Sequence, residues 1–184
     1  MYLQNETYTV QCEVLTQPNL DGFDAIHNTE ATDTTDAYMA RTFQIRRKDG
    51  HSIKIALLDR LCSSHVPYAV LDGNTLTVLL FAAIVRIDLD TGTILQHEPC
   101  DNMGGLLEIH PIEDGYILYG EGDLFRYDRS LHRIWEFSGR DILVDTEKDR
   151  SFWLEGSEIH CRGFLGWHYV LDFDGKVIEE VLEG

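Results

Sequence analysis

Two short stretches carry the residue types that a metal would need. Cys62-Ser-Ser-His65 and His97-Glu-Pro-Cys100 each space a thiol and an imidazole three apart, in mirror order. A tetrahedral Cys2His2 zinc site requires two such halves. Structural zinc knuckles more often read Cys-x-x-Cys, and thirty-one residues between the halves leave the geometry open. Free thiols and ordinary loop histidines are the simpler reading, and His160-Cys161 adds ligands without completing a pattern. Asp88-x-Asp90 and Asp172-x-Asp174-Gly175 have the look of calcium loops but lack the third oxygen ligand and the distal Glu. They read better as turn residues bonded to their own backbone.

Asp141, Asp145, Glu147 and Asp149 form an acidic cluster, either a solvated turn or a knob that a basic partner grips. Trp167-His168 follows the glycine-flanked segment Arg162-Gly163-Phe164-Leu165-Gly166, so it is a candidate contact pair or a loop anchor. Nucleophilic catalysis has little support. No serine sits on a strand-to-helix elbow, and Ser63 or Ser64 beside His65 is adjacency, which does not make triad geometry. With thirty-two acids some carboxylates always lie close, so a glycosidase-like pair is open but unspecified. No cofactor is implied.

Fifteen Lys and Arg against thirty-two Asp and Glu give a formal charge of −17. The charge is unevenly placed: residues 1–40 hold seven acids and no Lys or Arg, whereas 41–62 hold six bases and two acids. Such a chain is a poor nucleic-acid ligand, because phosphate neutralisation needs a basic face. A basic protein partner would be drawn in by the same field, although acidity also serves solubility alone. The longest apolar run, Leu76 to Val85, has ten residues including one threonine, too short to span a bilayer as a helix. The start, MYLQNETYTV, has neither a basic nor an apolar segment of the secretory kind. The expectation is a soluble, cytoplasmic protein whose four scattered cysteines are free thiols.

These side chains must be positioned by strands. Val85 to Leu95, VRIDLDTGTIL, places two strand-forming runs around Asp90-Thr91-Gly92. Phe43 to Leu58 does the same around Asp49-Gly50, with Phe43, Ile45, Ile53, Ile55 and Leu57 alternating with polar residues. Comparable reversals fall at Gly50, Gly92, His132 and Gly175, at separations of 42, 40 and 43 residues. Units of this length, with three or four strands each, have the period of propeller blades. The apolar run 76–85 fits inner strands covered on both sides. One position fits poorly: Gly120 to Asp123 is a turn, but its counterpart Leu80 to Ala83 has no turn residue. Either Ala82-Ala83 makes that turn or one long bent strand replaces the hairpin. Gln17 to Asp36 reads as a long polar loop, with a short helix near Thr34 to Met39.

VRIDLDTGTIL resembles the blade motif of quinoprotein-like propeller repeats, apolar-x-apolar-Asp-x-x-Thr-Gly-x-apolar. The match is good at Ile87 to Ile94, partial at Tyr169 to Ile178 and degenerate at Phe125 to Trp135. The resemblance implies the fold only, since nothing here matches the residues through which the redox members of that family bind quinone. The expected fold is all-β, one domain of repeated antiparallel units at 1–62, 63–100, 101–138 and 139–184. These make four small propeller-like blades, closed into a ring or left open.

The expected function is a non-enzymatic, acidic protein-binding module whose partner is a basic protein, with Asp141, Asp145, Glu147, Asp149, Trp167 and His168 as contact residues. One concrete form is an immunity or inhibitor protein that masks the basic groove of a toxin such as a nuclease. The alternative is a small hydrolase or lyase using carboxylates, or zinc at Cys62, His65, His97 and Cys100, on the same scaffold. A sensor or structural domain of a larger assembly is the blandest reading.

Overall fold

The computed structural model describes residues 1–17, 19–29, 39–61, 65–102, 104–148 and 150–183. Among them every regular element is a strand. Four sheets follow one another along the chain. The first contains β1 (Tyr2–Gln4), β2 (Tyr8–Thr16), β3 (Ala25–Asn28), β4 (Met39–Arg47) and β5 (Ser52–Asp59), in the order β1-β2-β4-β5-β3. The other three are meanders in sequence order. They comprise β6 (Ala69–Asp72), β7 (Thr75–Leu79), β8 (Ala83–Asp88) and β9 (Ile94–Pro99); β10 (Leu106–Ile112), β11 (Gly115–Gly120), β12 (Asp123–Asp128) and β13 (Arg133–Ser138); and β14 (Phe152–Glu155), β15 (Glu158–Arg162), β16 (Trp167–Asp172) and β17 (Val177–Leu182). The fold is all-β and built of repeated, propeller-like antiparallel units.

The polar stretch after β2 is not loop throughout. Ala25–Asn28 runs parallel to β5, pairing Ala25 with Ile55 and Asn28 with Leu58, the one parallel ladder among the described residues. The helix expected near Thr34 falls mostly outside those residues, but Met39 opens β4 instead and pairs with Thr16 and Asp59.

The last hairpin of the second, third and fourth sheets repeats one device. Each has a bulge at the same place, between Arg86 and Ile87, Arg126 and Tyr127, and Val170 and Leu171. Each turn opens on an aspartate whose Oδ1 accepts backbone N–H groups of the turn: Asp88 from Asp90 and Thr91, Asp128 from Ser130 and His132, Asp172 from Asp174 and Lys176. This is local side-chain capping of an otherwise unsatisfied reversal. The residue that turns left-handed is Gly92 at φ 71°, Gly175 at φ 81° and, in the third sheet, Leu131 at φ 58°. The reversal expected at His132 is therefore centred one residue earlier. Gly50, at φ 96°, makes the corresponding turn between β4 and β5.

The sequence without turn residues also reverses. β7 ends at Leu79, β8 begins at Ala83, and the Leu80 N–H donates to the Ala83 carbonyl at 2.8 Å. The turn centres on Phe81-Ala82 and no bent strand replaces it. Its Phe81 N–H is taken by Asp59 Oδ2 at 2.9 Å, so a carboxylate from the first sheet supplies what the aliphatic turn lacks.

By packing, the chain forms two compact units, Met1–Cys100 and Asp101–Gly184. In the first unit, the turn after β8 is held against the first sheet. Tyr8 Oη donates to Asp90 at 2.8 Å, Arg47 Nη1 to the same carboxylate oxygen at 2.9 Å, and His27 Nε2 lies 2.7 Å from the Gly92 carbonyl. A Cβ on Gly92 would stand 2.9 Å from Ile53 Cδ1. In the second unit, the turn after β16 is held against the third sheet in the same manner. Arg126 Nη1 and Trp135 Nε1 both donate to the Phe173 carbonyl, at 2.7 and 2.9 Å, and a Cβ on Gly175 would stand 2.7 Å from the Trp135 ring. Both glycines are thus needed twice, for the left-handed backbone and for the close approach. Leu107, Ile117, Tyr119, Leu124, Leu143, Phe152, Ile159, Cys161, Tyr169 and Leu171 form the core of the second unit. Leu76 to Leu80 and Ala83 to Val85 are buried, as expected for strands covered on both faces.

Candidate functional site

The acidic cluster, the glycine-flanked segment and Trp167-His168 all belong to the second unit, and the structure brings several of them together. Asp145, Glu147 and Lys148 face Arg162, Phe164, Leu165, Gly166 and Glu183 across an open groove. The segment between β15 and β16 forms its apolar tip. Gly166 turns left-handed at φ 86°, its N–H donates to Gly163 at 3.0 Å, and its carbonyl accepts the Glu183 N–H at 2.8 Å. This closed turn pushes Phe164 and Leu165 outward, 55% and 65% exposed, beside Ile142 at 46%. Three exposed apolar side chains near carboxylates form a patch that calls for a function.

The acids expected to contact a partner divide into separate roles. Asp141 accepts the Leu165 N–H and anchors the tip, and its other oxygen is buried. Asp145 caps its own turn, accepting from the N–H groups of Glu147 and Lys148 at 2.8 and 3.2 Å. Glu147 is exposed on the groove wall. Asp149 lies outside the described residues.

Trp167 and His168, adjacent in sequence, point to opposite faces of β16, as successive strand residues must. Trp167 packs against the core; Arg140 lies 4.6 Å over its ring and pairs with Glu180. His168 joins a row contributed by three strands. Its Nε2 is 3.3 Å from His160 Nδ1, its Nδ1 is 3.1 Å from Glu183, and Trp153 stacks on His160 at 4.7 Å. Arg162 Cζ lies 4.8 Å over the Trp153 ring, while Glu158 stands 3.5 Å from His160 Nε2. Burial favours the uncharged imidazole and lowers the His168 pKa, against the attraction of Glu183. The two imidazoles and Glu183 lie within hydrogen-bonding reach of one another in sequence along the row, His160 Nε2 is buried without a hydrogen bond at its far end, and the row meets the groove at Glu183. The sequence marks His168 as a contact residue, His160 only as a possible extra metal ligand and Arg162 only as the start of the glycine-flanked segment, and it links none of them to Trp153 or Glu183. Their partnership depends on the pairing of His160 with Val170 and of Arg162 with His168, which no local spacing records.

Three of the four residues considered for zinc, His65, His97 and Cys100, lie among the described residues. His97 is exposed on β9, whereas Cys100 is buried beyond its end with Sγ 3.9 Å from the Glu98 carbonyl. His65 is exposed, and Cys62 lies outside the described residues. Among the described residues no three His, Cys, Asp or Glu side chains converge as a metal would require. Cys12, Cys100 and Cys161 are buried and form no disulfide. No helix among the described residues is long and apolar enough to cross a membrane.

No protein-family model matches the chain, and no curated protein does. Solved structures resemble it. Raptor from Chaetomium thermophilum aligns with 81% of this chain and 15% of its own length, at 13% identity and a TM-score of 0.56. The computationally designed protein Ika8 aligns with 98% of this chain and 60% of its own, at 8% identity and a TM-score of 0.51. The AfRom2 CNH domain aligns with 78% of this chain and 47% of its own, at 12% identity and a TM-score of 0.50. The chain thus spans less than two thirds of each. At these identities the likeness is one of fold, and the neighbours are propeller-like.

Proposed function

We propose that this chain is an acidic protein-binding module that docks a basic protein partner at the groove of its second unit. The observation that carries this reading is the exposed apolar tip Phe164-Leu165 facing Glu147 and Glu183. Apolar anchors inside a charged rim are how protein interfaces divide affinity from selectivity. The formal charge of −17 supports the choice of a basic partner and would speed its arrival. The most concrete form is an immunity or inhibitor protein that covers the cationic substrate groove of a toxin such as a nuclease, within the cytoplasm. Pull-down from cell extract at low and high salt tests it. Captured proteins should be basic and released by salt, and Glu147→Lys with Phe164→Ser should abolish capture. Capture indifferent to both salt and substitution argues against this reading.

A second reading, a small hydrolase or lyase, has one observation in its favour: the row Glu183, His168, His160, Glu158 opens onto the same groove. Metal analysis of protein purified without chelator separates the two. Stoichiometric zinc would promote the enzymatic reading.

A further inference from the structure

Strand β17 differs from the last strands of the second and third sheets. β9 and β13 each leave alternate residues partly buried, whereas all six residues of β17 are exposed. Ile178 and Leu182 are 54% and 56% exposed, with Val177 and Val181 little less so. The strand lies at the edge of its sheet, paired on one side with β16 alone. Its hydrogen-bond phase follows from one bond: the Glu183 N–H donates to the Gly166 carbonyl at 2.8 Å. In an antiparallel ladder the bonding residues alternate. Val181 and Glu179 therefore turn toward β16, and Leu182 and Glu180 turn their N–H and C=O groups outward.

An open edge is a template for another strand, and proteins usually blunt it with lysine, proline or a bulge. β17 has no lysine or proline, and its bulge lies at the Val177 end, between Val170 and Leu171 of β16. What remains is Glu179-Glu180-Val181-Leu182, with one acid and one aliphatic on each face. Glutamates at this place choose the occupant. A second copy of the chain, paired antiparallel across the same edge, would crowd the Glu179, Glu180 and Glu183 carboxylates of both strands along one short ladder, and like charges brought close across a strand pair are unfavourable. A strand bearing Lys or Arg among aliphatics would gain where the copy loses. The strand also leads into the groove, since Glu183 follows it and lines the groove wall.

We propose that the outer edge of β17 receives an extended, basic and otherwise apolar segment of the protein partner as a fifth strand of that sheet. Main-chain bonds to Glu180 and Leu182 would supply affinity, and a cation on the segment would meet Glu179 and share Glu180 with Arg140 and Glu183 with Arg162 and His168. This rests on the protein-binding reading and specifies the form of the segment recognised.

The test uses the full chain and the capped peptide Lys-Val-Lys-Val-Lys-Val-Lys, followed by fluorescence anisotropy at low salt and by amide hydrogen exchange. A second peptide of equal charge is N-methylated at the central valine and an adjoining lysine, which blocks both strand edges. Leu182→Pro removes an outward N–H without touching the ladder to β16, and Leu182→Ala controls for the lost side chain. Binding should weaken by about tenfold or more in Leu182→Pro and by about twofold or less in Leu182→Ala, a gap of about one hydrogen bond's worth in affinity. The methylated peptide should not compete, and exchange at Glu180 should slow on binding. Equal binding of the two peptides overturns the proposal and leaves charge alone as the attraction. Binding lost in Glu147→Lys but kept in Leu182→Pro also overturns it, while leaving the groove reading intact. A dimer in sedimentation that Leu182→Pro dissolves would make the occupant a second copy and overturn it too. If Leu182→Pro unfolds, the two peptides decide the matter without it.

Discussion

His168 Nε2 stands 3.3 Å from His160 Nδ1 in a partly buried row. Burial keeps His168 below its ordinary value of 6.5, with Arg162 and His160 adding to the effect and Glu183 and Glu179 opposing it. The consequence for stability has a definite sign. Above that value the imidazole is neutral in both states and contributes no pH dependence. As pH falls, the unfolded chain takes the proton first, and stability is lost until the folded state also protonates. Thermal denaturation from about pH 8 to about pH 5 should therefore show a falling midpoint, and His168→Gln should flatten the curve. A midpoint unmoved over that range, or a slope unchanged by the substitution, would refute this. Asp90 and Asp128 act at lower pH in the same direction. Hydrogen bonds from Tyr8 and Arg47 lower the first, and the His132 backbone N–H lowers the second, so their contribution disappears as they protonate. The thiols are a separate residue-scale test. Burial pushes Cys12 up to about 12 and raises Cys161 further. Neither should be alkylated by iodoacetamide in the native protein, by peptide mass spectrometry, and both should label on unfolding. Single residues of this site were legible where a glycine-flanked aromatic stood out, as at Trp167-His168. The division of that pair between two faces was also implicit in the strand. The His160 partnership was not, because it is created by pairing between strands.

At the scale of the element, the repeated aspartate turn predicts matched effects. Asp128→Ala and Asp172→Ala should each cost about 1 kcal/mol, the worth of net hydrogen bonds lost to the turn, measured by urea denaturation. Gly175→Ala should cost more, about 2 kcal/mol or above, because it adds left-handed strain to a contact with Trp135. Equal costs for Asp172→Ala and Gly175→Ala would show that the close approach is unimportant. The hairpins were readable wherever Asp and Gly mark the reversal, as at Asp49-Gly50 and Asp172 to Gly175. They were read one residue late in the third sheet, because Leu131 occupies the left-handed position and its burial offsets the strain. The turn at Phe81-Ala82 was hidden for a related reason: its polar partner, Asp59, comes from a different sheet. Strand β3 was missed because four residues, Ala-Ile-His-Asn, pair in parallel with β5 and leave no hairpin signature.

At the scale of the molecule, the period of the hydrophobic and turn signals made the β-repeat architecture legible, since each small sheet buries its interior only against a neighbour. Function was less legible, because charge and exposed apolar tips define a kind of partner and not its identity. Carboxylate footprinting of the chain, with and without the proposed basic partner, tests the central claim most directly. Protection should concentrate on Glu147, Glu179, Glu180 and Glu183, while Glu6, Asp21 and Asp24 of the first unit stay reactive. Failure to capture any basic protein, or protection spread evenly over both units, would contradict the account.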